Sequence, residues 1–413
     1  MQQLTSLQKE FLEILKCFAH NEEYTLPNEF TELEQLYKMA QEHQMIAAVY
    51  EKIRKSNVCY LPEYTGTMTA WKRTAIRNVM MQVQREDGFL KIYKKLIEVG
   101  VIPLVVKGCI CRNLYANPDY RVSSDEDILV KQVDFEKCDQ ILLQEGFVRE
   151  ELDMDSLPFE IPYRNLQNGV YIELHFSLFS DESNVYGHLN DEFINVFANS
   201  VCEGIQGTRV WTLSPTEHLF YLICHSFKHF LHGGFGIRQV CDMVKMSEYY
   251  GSRINWKHIE ERLLCLSMKE YWNALVKISQ GYLGFSVHKS CYPEAMVNDN
   301  IDCIPMLIDL LEGGIYGDSS LERKHSSNIT LAAAEKGRIS TKGSLQSVLF
   351  PSITYMKKKY TWLKNKPFLL PIAWGIRILK YIFKEKNIMD AKQSGLQIGM
   401  ERVELLKKYG IIE

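Results

Sequence analysis

At Gly100 the spacing of apolar residues changes from helical to extended, and that switch limits the folds open to this chain. Ahead of it, residues 4–19 place Leu4, Leu7, Phe11, Leu12, Ile14, Leu15 and Phe18 mostly on one helical stripe. Further amphipathic segments follow at 30–40, 46–54 and 69–99, with Pro27 and Pro62 punctuating the polar connections. Beyond Gly100, VIPLVV at 101–106 is a short apolar run rich in β-formers and reads as a buried strand. Residues 109–115 read as a short helix stopped by Asn117-Pro118. A second strand, DEDILV, follows at 125–130. Residues 134–145 form an amphipathic helix closed by Gly146, and strands are expected within 147–152, 159–163 and 170–176, the last by strict alternation.

From Ser214 the helical period returns. Ser214-Pro215-Thr216-Glu217 supplies a hydroxyl cap, a proline at the first helical position and a glutamate at the third. The helix runs to about His229 and breaks at Gly233-Gly234. More helices are expected to 311, at 368–384 and at 390–409, and the Gly/Ser/Thr-rich stretch 337–347 reads as a mobile loop. The fold class implied is α+β, a small sheet with flanking helices set between N-terminal and C-terminal helical regions. The expected division is 1–98, 99–210, 211–335 and 336–413.

Composition narrows the function classes. A net charge of −3 gives no overall field to draw the chain to nucleic acid, so polyanion contact needs a local patch. Eleven cysteines with no CxxC pair, several among apolar neighbours (Cys17, Cys224, Cys265), suggest reduced core thiols. Neither a secretory leader nor an apolar run long enough to span a bilayer is evident, so the expected location is cytoplasmic.

The chemistry concentrates in the sheet region. Asp125 and Asp127 lie two apart on one strand and therefore project from the same face. Paired carboxylates repel unless a cation sits between them, and oxygen ligands of this kind suit Mg²⁺, which shares its shell with phosphates and water. Glu173 lies on another strand, with Ile172 and Leu174 on the opposite face. If the two strands are neighbours, three carboxylates converge, the ligand set for two-metal phosphoryl or nucleotidyl transfer. Taken alone, an acidic pair at a strand start is a weak signal and is often just a solvated edge.

The succession VVKGCICRNLYANPDYRVSSDEDILV, DFEKCDQILLQEGF and YIELHFSLF resembles the uncharacterised nucleotidyltransferase family of the DNA polymerase beta-type superfamily. The resemblance extends in weaker form to 214–242 and to PFLLP at 367–371. It implies a small mixed nucleotidyltransferase sheet, a nucleoside triphosphate (NTP) as substrate and Mg²⁺ as cofactor. In its pattern the glycine turn is Lys107-Gly108, the acidic pair Asp125 and Asp127, and the later carboxylate Glu173. The chain departs from it at Cys109, where a serine or glycine commonly helps hold a phosphate, and at Glu126, where an apolar residue is usual. Glu126 would add negative charge near the metals or point to solvent.

Several cations are candidates for the phosphates. Lys107, at the strand end, would meet a phosphate or pair with a neighbouring acid; Arg121 would neutralise developing charge or hold Asp119 or Asp125. His225, Lys228 and His229 share one helical face, which would line a cleft with Lys228 reaching the triphosphate, or would be an ordinary helix interface. Arg238 and Asp242 are spaced to pair with each other, Arg238 alternatively facing the nucleotide. Residues 355–386 hold nine Lys/Arg and one acid among aromatics, which suggests a docked helix with a solvated basic face, or a peripheral contact surface.

The resulting expectation is transfer of a nucleoside monophosphate from an NTP to a hydroxyl or phosphate of an acceptor, a small molecule in preference to nucleic acid. A protein or peptide acceptor also fits. Two rivals remain at this point: a catalytically inactive nucleotide- or partner-binding protein on the same fold, and an Asp-x-Asp glycosyltransferase.

Overall fold

In the computed structural model the described residues are 3–151, 158–314, 321–338, 367–383 and 386–412, with 356, 360 and 363. Four helices come first: α1 (Ser6–His20), α2 (Leu33–Glu42), α3 (Ile46–Ile53) and α4 (Thr65–Glu98). Thr5 caps α1 in a full capping box with Gln8. At 34 residues α4 is about 50 Å long, enough to serve two cores.

The sheet follows the switch at Gly100. It comprises β1 (Leu104–Val105), β2 (Glu126–Leu129), β3 (Phe147–Val148), β4 (Glu160–Asn165), β5 (Tyr171–His175), β6 (Val201–Ile205) and β7 (Thr208–Thr212), with α5 (Gly108–Arg112) and α6 (Phe135–Gln144) between strands. The order is β3-β4-β5-β2-β1-β7-β6, so the fold is α+β with a mixed seven-stranded sheet. β2 runs parallel to β5 and β1 parallel to β7; the remaining neighbours are antiparallel. Residues 201–212, to which the apolar alternation assigns no strand, form a hairpin. Its turn residues Gln206 and Gly207 have φ of 46° and 75°, the pair of positive values a tight two-residue hairpin turn needs.

Beyond the sheet come α7 (Pro215–Leu231), α8 (Ile237–Tyr250), α9 (Trp256–Cys265), α10 (Lys269–Tyr282), α11 (Val287–Ser290), α12 (Ile304–Glu312), α13 (Leu321–Arg338), α14 (Leu370–Phe383) and α15 (Lys386–Lys408). Ser214 caps α7 through the Glu217 amide, as its sequence implies. Cys265 is exposed at the end of α9, a correction to its reading as a core thiol, whereas Cys17 and Cys224 are buried. Of the expected loop 337–347, all but the last two residues of α13 lie outside the described residues, as do 355, 357–359, 361–362, 364–366 and 384–385 of the segment 355–386.

The sheet separates two apolar cores. One face, with Ile128, Ile172 and Leu174, packs against the second half of α4 and against α6. The other side meets a larger core in which α1–α3, the start of α4, α7, α8 and α10 all take part. α7 therefore lies over the face that carries Asp127 and Glu173. Among the described residues no helix is long and apolar enough to cross a membrane.

Candidate functional site

Strand parity and register assemble the site. Asp127 on β2 is the direct partner of Glu173 on β5, and Leu129 the partner of His175. In a parallel pair, register partners project to the same side, so Asp127, Glu173 and His175 share one face. Their ligand atoms all lie within 4.8 Å of one another. His175 Nε2 is 3.1 Å from Asp127 Oδ1 and 3.8 Å from Glu173 Oε2. Asp125, just before β2, lines the same cavity, accepts a hydrogen bond from the Ser124 hydroxyl, and is not a member of that close group. β4 brings Glu160 opposite His175, so a further carboxylate borders the same face.

The cavity above these groups measures about 410 Å³, within the range of small-ligand sites. α7 supplies its opposite wall with Tyr221, His225, Lys228 and His229. Residues 225, 228 and 229 fall on one side of the helix because they are three and four apart. Lys107 reaches in from the end of β1: its Nζ is 3.0 Å from Asp127 Oδ2 and 3.0 Å from His225 Nε2. Lys228 Nζ lies 5.9 Å from the ring centres of both Phe159 and Tyr186.

Electrostatics divide the two acids of the pair. Burial, then the charges of Asp127, Asp125 and Glu160, push Glu173 up to about 8. Burial alone would raise Asp127 too, but Lys107 and the His175 hydrogen bond outweigh it and hold Asp127 well below the usual carboxylate range. Burial and the neighbouring lysines press His225 and His229 well below the ordinary histidine value, so both rings are neutral. Burial and Lys107 also lower Lys228.

Three sequence expectations need correction. Glu126 neither approaches the cavity acids nor meets solvent. Strand parity turns it to the other face, where its Oε2 accepts the Cys109 amide at 2.8 Å and its Oε1 accepts Arg112 at 2.6 Å. A Cβ at Gly108, where φ is +42°, would stand 1.8 Å from Glu126 Oε2, so only glycine fits there. Cys109 consequently does not serve the cavity: its thiol is fully buried and its amide is taken by Glu126. Arg121 holds neither Asp119 nor Asp125; its guanidinium is bidentate to Asp242, which also accepts the Tyr115 hydroxyl. Arg238, expected to pair with Asp242, donates to Gln44 Oε1 and to the Val122 carbonyl. Both arginines still border the cavity, as do Lys107, Gly108, Lys228 and His225.

Sequence reasoning assigned no role to His175 or Glu160. His175 was accessible to it: two positions after Glu173 on an alternating strand, it must share that face. Glu160 depends on the β4–β5 register, which no local signal fixes.

A family model described as an uncharacterised nucleotidyltransferase matches residues 30–283, from α2 through the sheet to the end of α10. No curated protein and no solved structure matches the chain.

Proposed function

The chain belongs to the uncharacterised nucleotidyltransferase family, and from that premise we propose that its cavity binds an NTP with a divalent cation and transfers the nucleoside monophosphate to an acceptor. The observation that carries this reading is the parallel register that sets Asp127 beside Glu173 on the floor of a cavity whose other wall holds Lys228. Two carboxylates forced together, one of them raised to about 8, are stabilised by a cation between them, so the residues present fit a divalent ion. Asp127 and Glu173 would hold it, with Asp125 at the cavity edge. Once bound, such an ion supplies neutralisation of the charge that develops on the triphosphate.

The chain's own groups do the rest. Lys228, across the cavity from the acids, binds the phosphates and draws away the negative charge of the departing pyrophosphate. Lys107, now paired with Asp127, stands close enough to follow an incoming phosphate. Glu173 acts as a ligand or accepts the acceptor's proton, a role that a carboxyl near 8 suits. As the acceptor oxygen bonds to the α-phosphorus, the bond to the bridging oxygen breaks and pyrophosphate leaves. A cavity of about 410 Å³ and a net charge of −3 favour a small-molecule acceptor over nucleic acid.

One observation favours the rival reading of an inactive binding protein: in the turn where the family pattern holds a phosphate, the Cys109 amide is taken by Glu126. Thermal-shift measurements with each of the four NTPs, with and without Mg²⁺ or Mn²⁺, separate the two. The transferase reading expects cation-dependent stabilisation that disappears in Asp127→Asn. Stabilisation by an NTP without any cation favours the binding protein, and no response to any NTP removes nucleotide from the account.

A further inference from the structure

The group at the cavity floor contains an imidazole as well as carboxylates. His175 Nε2 stands 3.1 Å from Asp127 Oδ1 and 3.8 Å from Glu173 Oε2. Around a six-coordinate ion with bonds of about 2.1 Å, adjacent ligand atoms lie about 3 Å apart. The Asp127–His175 spacing already matches one edge of such a shell, and the Glu173–His175 spacing needs to contract by less than 1 Å, well within a side-chain adjustment. His175 is only 5% exposed, and its Nδ1 makes no hydrogen bond, with Glu160 Oε2 the nearest carboxylate atom at 3.9 Å. A carboxylate behind the far ring nitrogen is the usual partner of a metal-bound histidine, since it fixes the ring and its tautomer.

The plainer role for His175 is a hydrogen bond that steadies Asp127. Asp127, however, already has an ammonium partner in Lys107 at 3.0 Å, so it needs no second cationic neighbour to be satisfied. Imidazole is also a poor complement to Mg²⁺, which takes oxygen ligands and keeps much of its water, whereas first-row transition ions accept nitrogen and carboxylate together.

We propose that this site selects a divalent transition ion of the Mn²⁺ kind over Mg²⁺, with His175 Nε2 bonded to the metal beside Asp127 and Glu173. The proposal rests on the cation-dependent transferase reading but makes a separate claim, the nitrogen ligand. Three carboxylates would serve Mg²⁺ equally well; one imidazole changes the preference.

Pulsed electron paramagnetic resonance on the full-length protein with Mn²⁺ alone tests it without any turnover. The wild-type protein should show the ¹⁴N modulation of a directly bonded imidazole, and bind Mn²⁺ at least about tenfold more tightly than Mg²⁺ in competition. In His175→Gln, with the fold checked by circular dichroism, the modulation should vanish and the Mn²⁺ preference fall. Since the wild-type spectrum is itself diagnostic, a variant that fails to fold leaves the test intact. Mn²⁺ bound in an Asp127-dependent manner with no nitrogen modulation, or with modulation that persists in His175→Gln, overturns the proposal and spares the transferase reading. No divalent ion bound, even with NTP present, overturns both.

Discussion

Two buried knots of charge in this molecule share a formula and differ in use. At the cavity, Asp127 lies between Lys107 and His175. Behind the far end of α7, Asp309 of α12 lies between Arg323 of α13 and Arg402 of α15. Both aspartates are buried, at 2% and 7% exposure. The second knot is sealed and turned to backbone: Arg402 donates to the Phe230 carbonyl, Arg323 to Gly233, and Thr330 nearby to His232. These carbonyls belong to the end of α7 and the turn that follows, where a helix leaves acceptors unsatisfied and its dipole favours cations. A Cβ at Gly234 would come 2.8 Å from Arg402 Nη1, so the turn is built around the knot. The first knot faces open space and has a second acid, Glu173, pressed against it. Burial of charge does not identify a site; like charge held together at the edge of a cavity does.

The difference can be broken by exchanging the two acids' amides. Asp309→Asn removes the buried carboxylate that Arg323 and Arg402 share and should cost about 3–5 kcal/mol of stability in urea denaturation. Asp127→Asn should cost clearly less than Asp309→Asn, because Lys107 keeps Asp125 nearby and the repulsion with Glu173 is relieved. Equal losses in the two variants would mean the cavity acids are structural too.

A smaller effect sharpens the contrast through pH. Burial and the nearby acids raise Glu173 from the ordinary range to about 8, so between about 4.5 and 8 the folded chain binds a proton that the unfolded chain does not. Without a cation, the Glu173 contribution to stability therefore falls as pH rises through that window. Cation binding displaces the same proton, so apparent affinity should rise about tenfold per pH unit up to about 8 and level off above it. Calorimetric titrations from pH 6 to 9 check the slope, and Glu173→Gln should flatten it. An affinity indifferent to pH would remove Glu173 from the ion. Smaller again, Lys228→Met should weaken NTP binding about tenfold, or about 1.4 kcal/mol, with the melting temperature little changed. The sealed knot has no counterpart to that loss of ligand without loss of fold.

The parts of the fold that local chemistry decides could be read in advance. The switch of period at Gly100, the Ser214 cap of α7, and the shared face of His225, Lys228 and His229 are each set within a few residues. The placement of Asp127 and Glu173 on strands also follows from local alternation, although their adjacency depends on which strands pair. What escaped depends on distant partners. Glu126 could be assigned to the face opposite Asp127 by parity, but its destination under the Gly108 turn requires Arg112 to be there. Asp242 has two arginines at plausible separations, and packing of α8 against the loop before β2 brings Arg121 onto it. The β6–β7 hairpin carries short, mixed strands whose clearest signal, Gln206-Gly207, is a turn and not an apolar pattern. The second knot lies entirely beyond the family-matched residues 30–283. It nevertheless holds the helix that forms the cavity's basic wall.

The central claim is positional, that an ion on the Asp127–Glu173 floor carries the triphosphate toward α7. A crystal structure with Mn²⁺ and an α,β-non-hydrolysable NTP tests it most directly, because the anomalous signal locates the metal independently of the nucleotide. The account predicts one metal bonded to Asp127 and Glu173, with the phosphates between it and Lys228. A metal or nucleotide seated elsewhere, with Lys107 still paired to Asp127 over an empty floor, would contradict it.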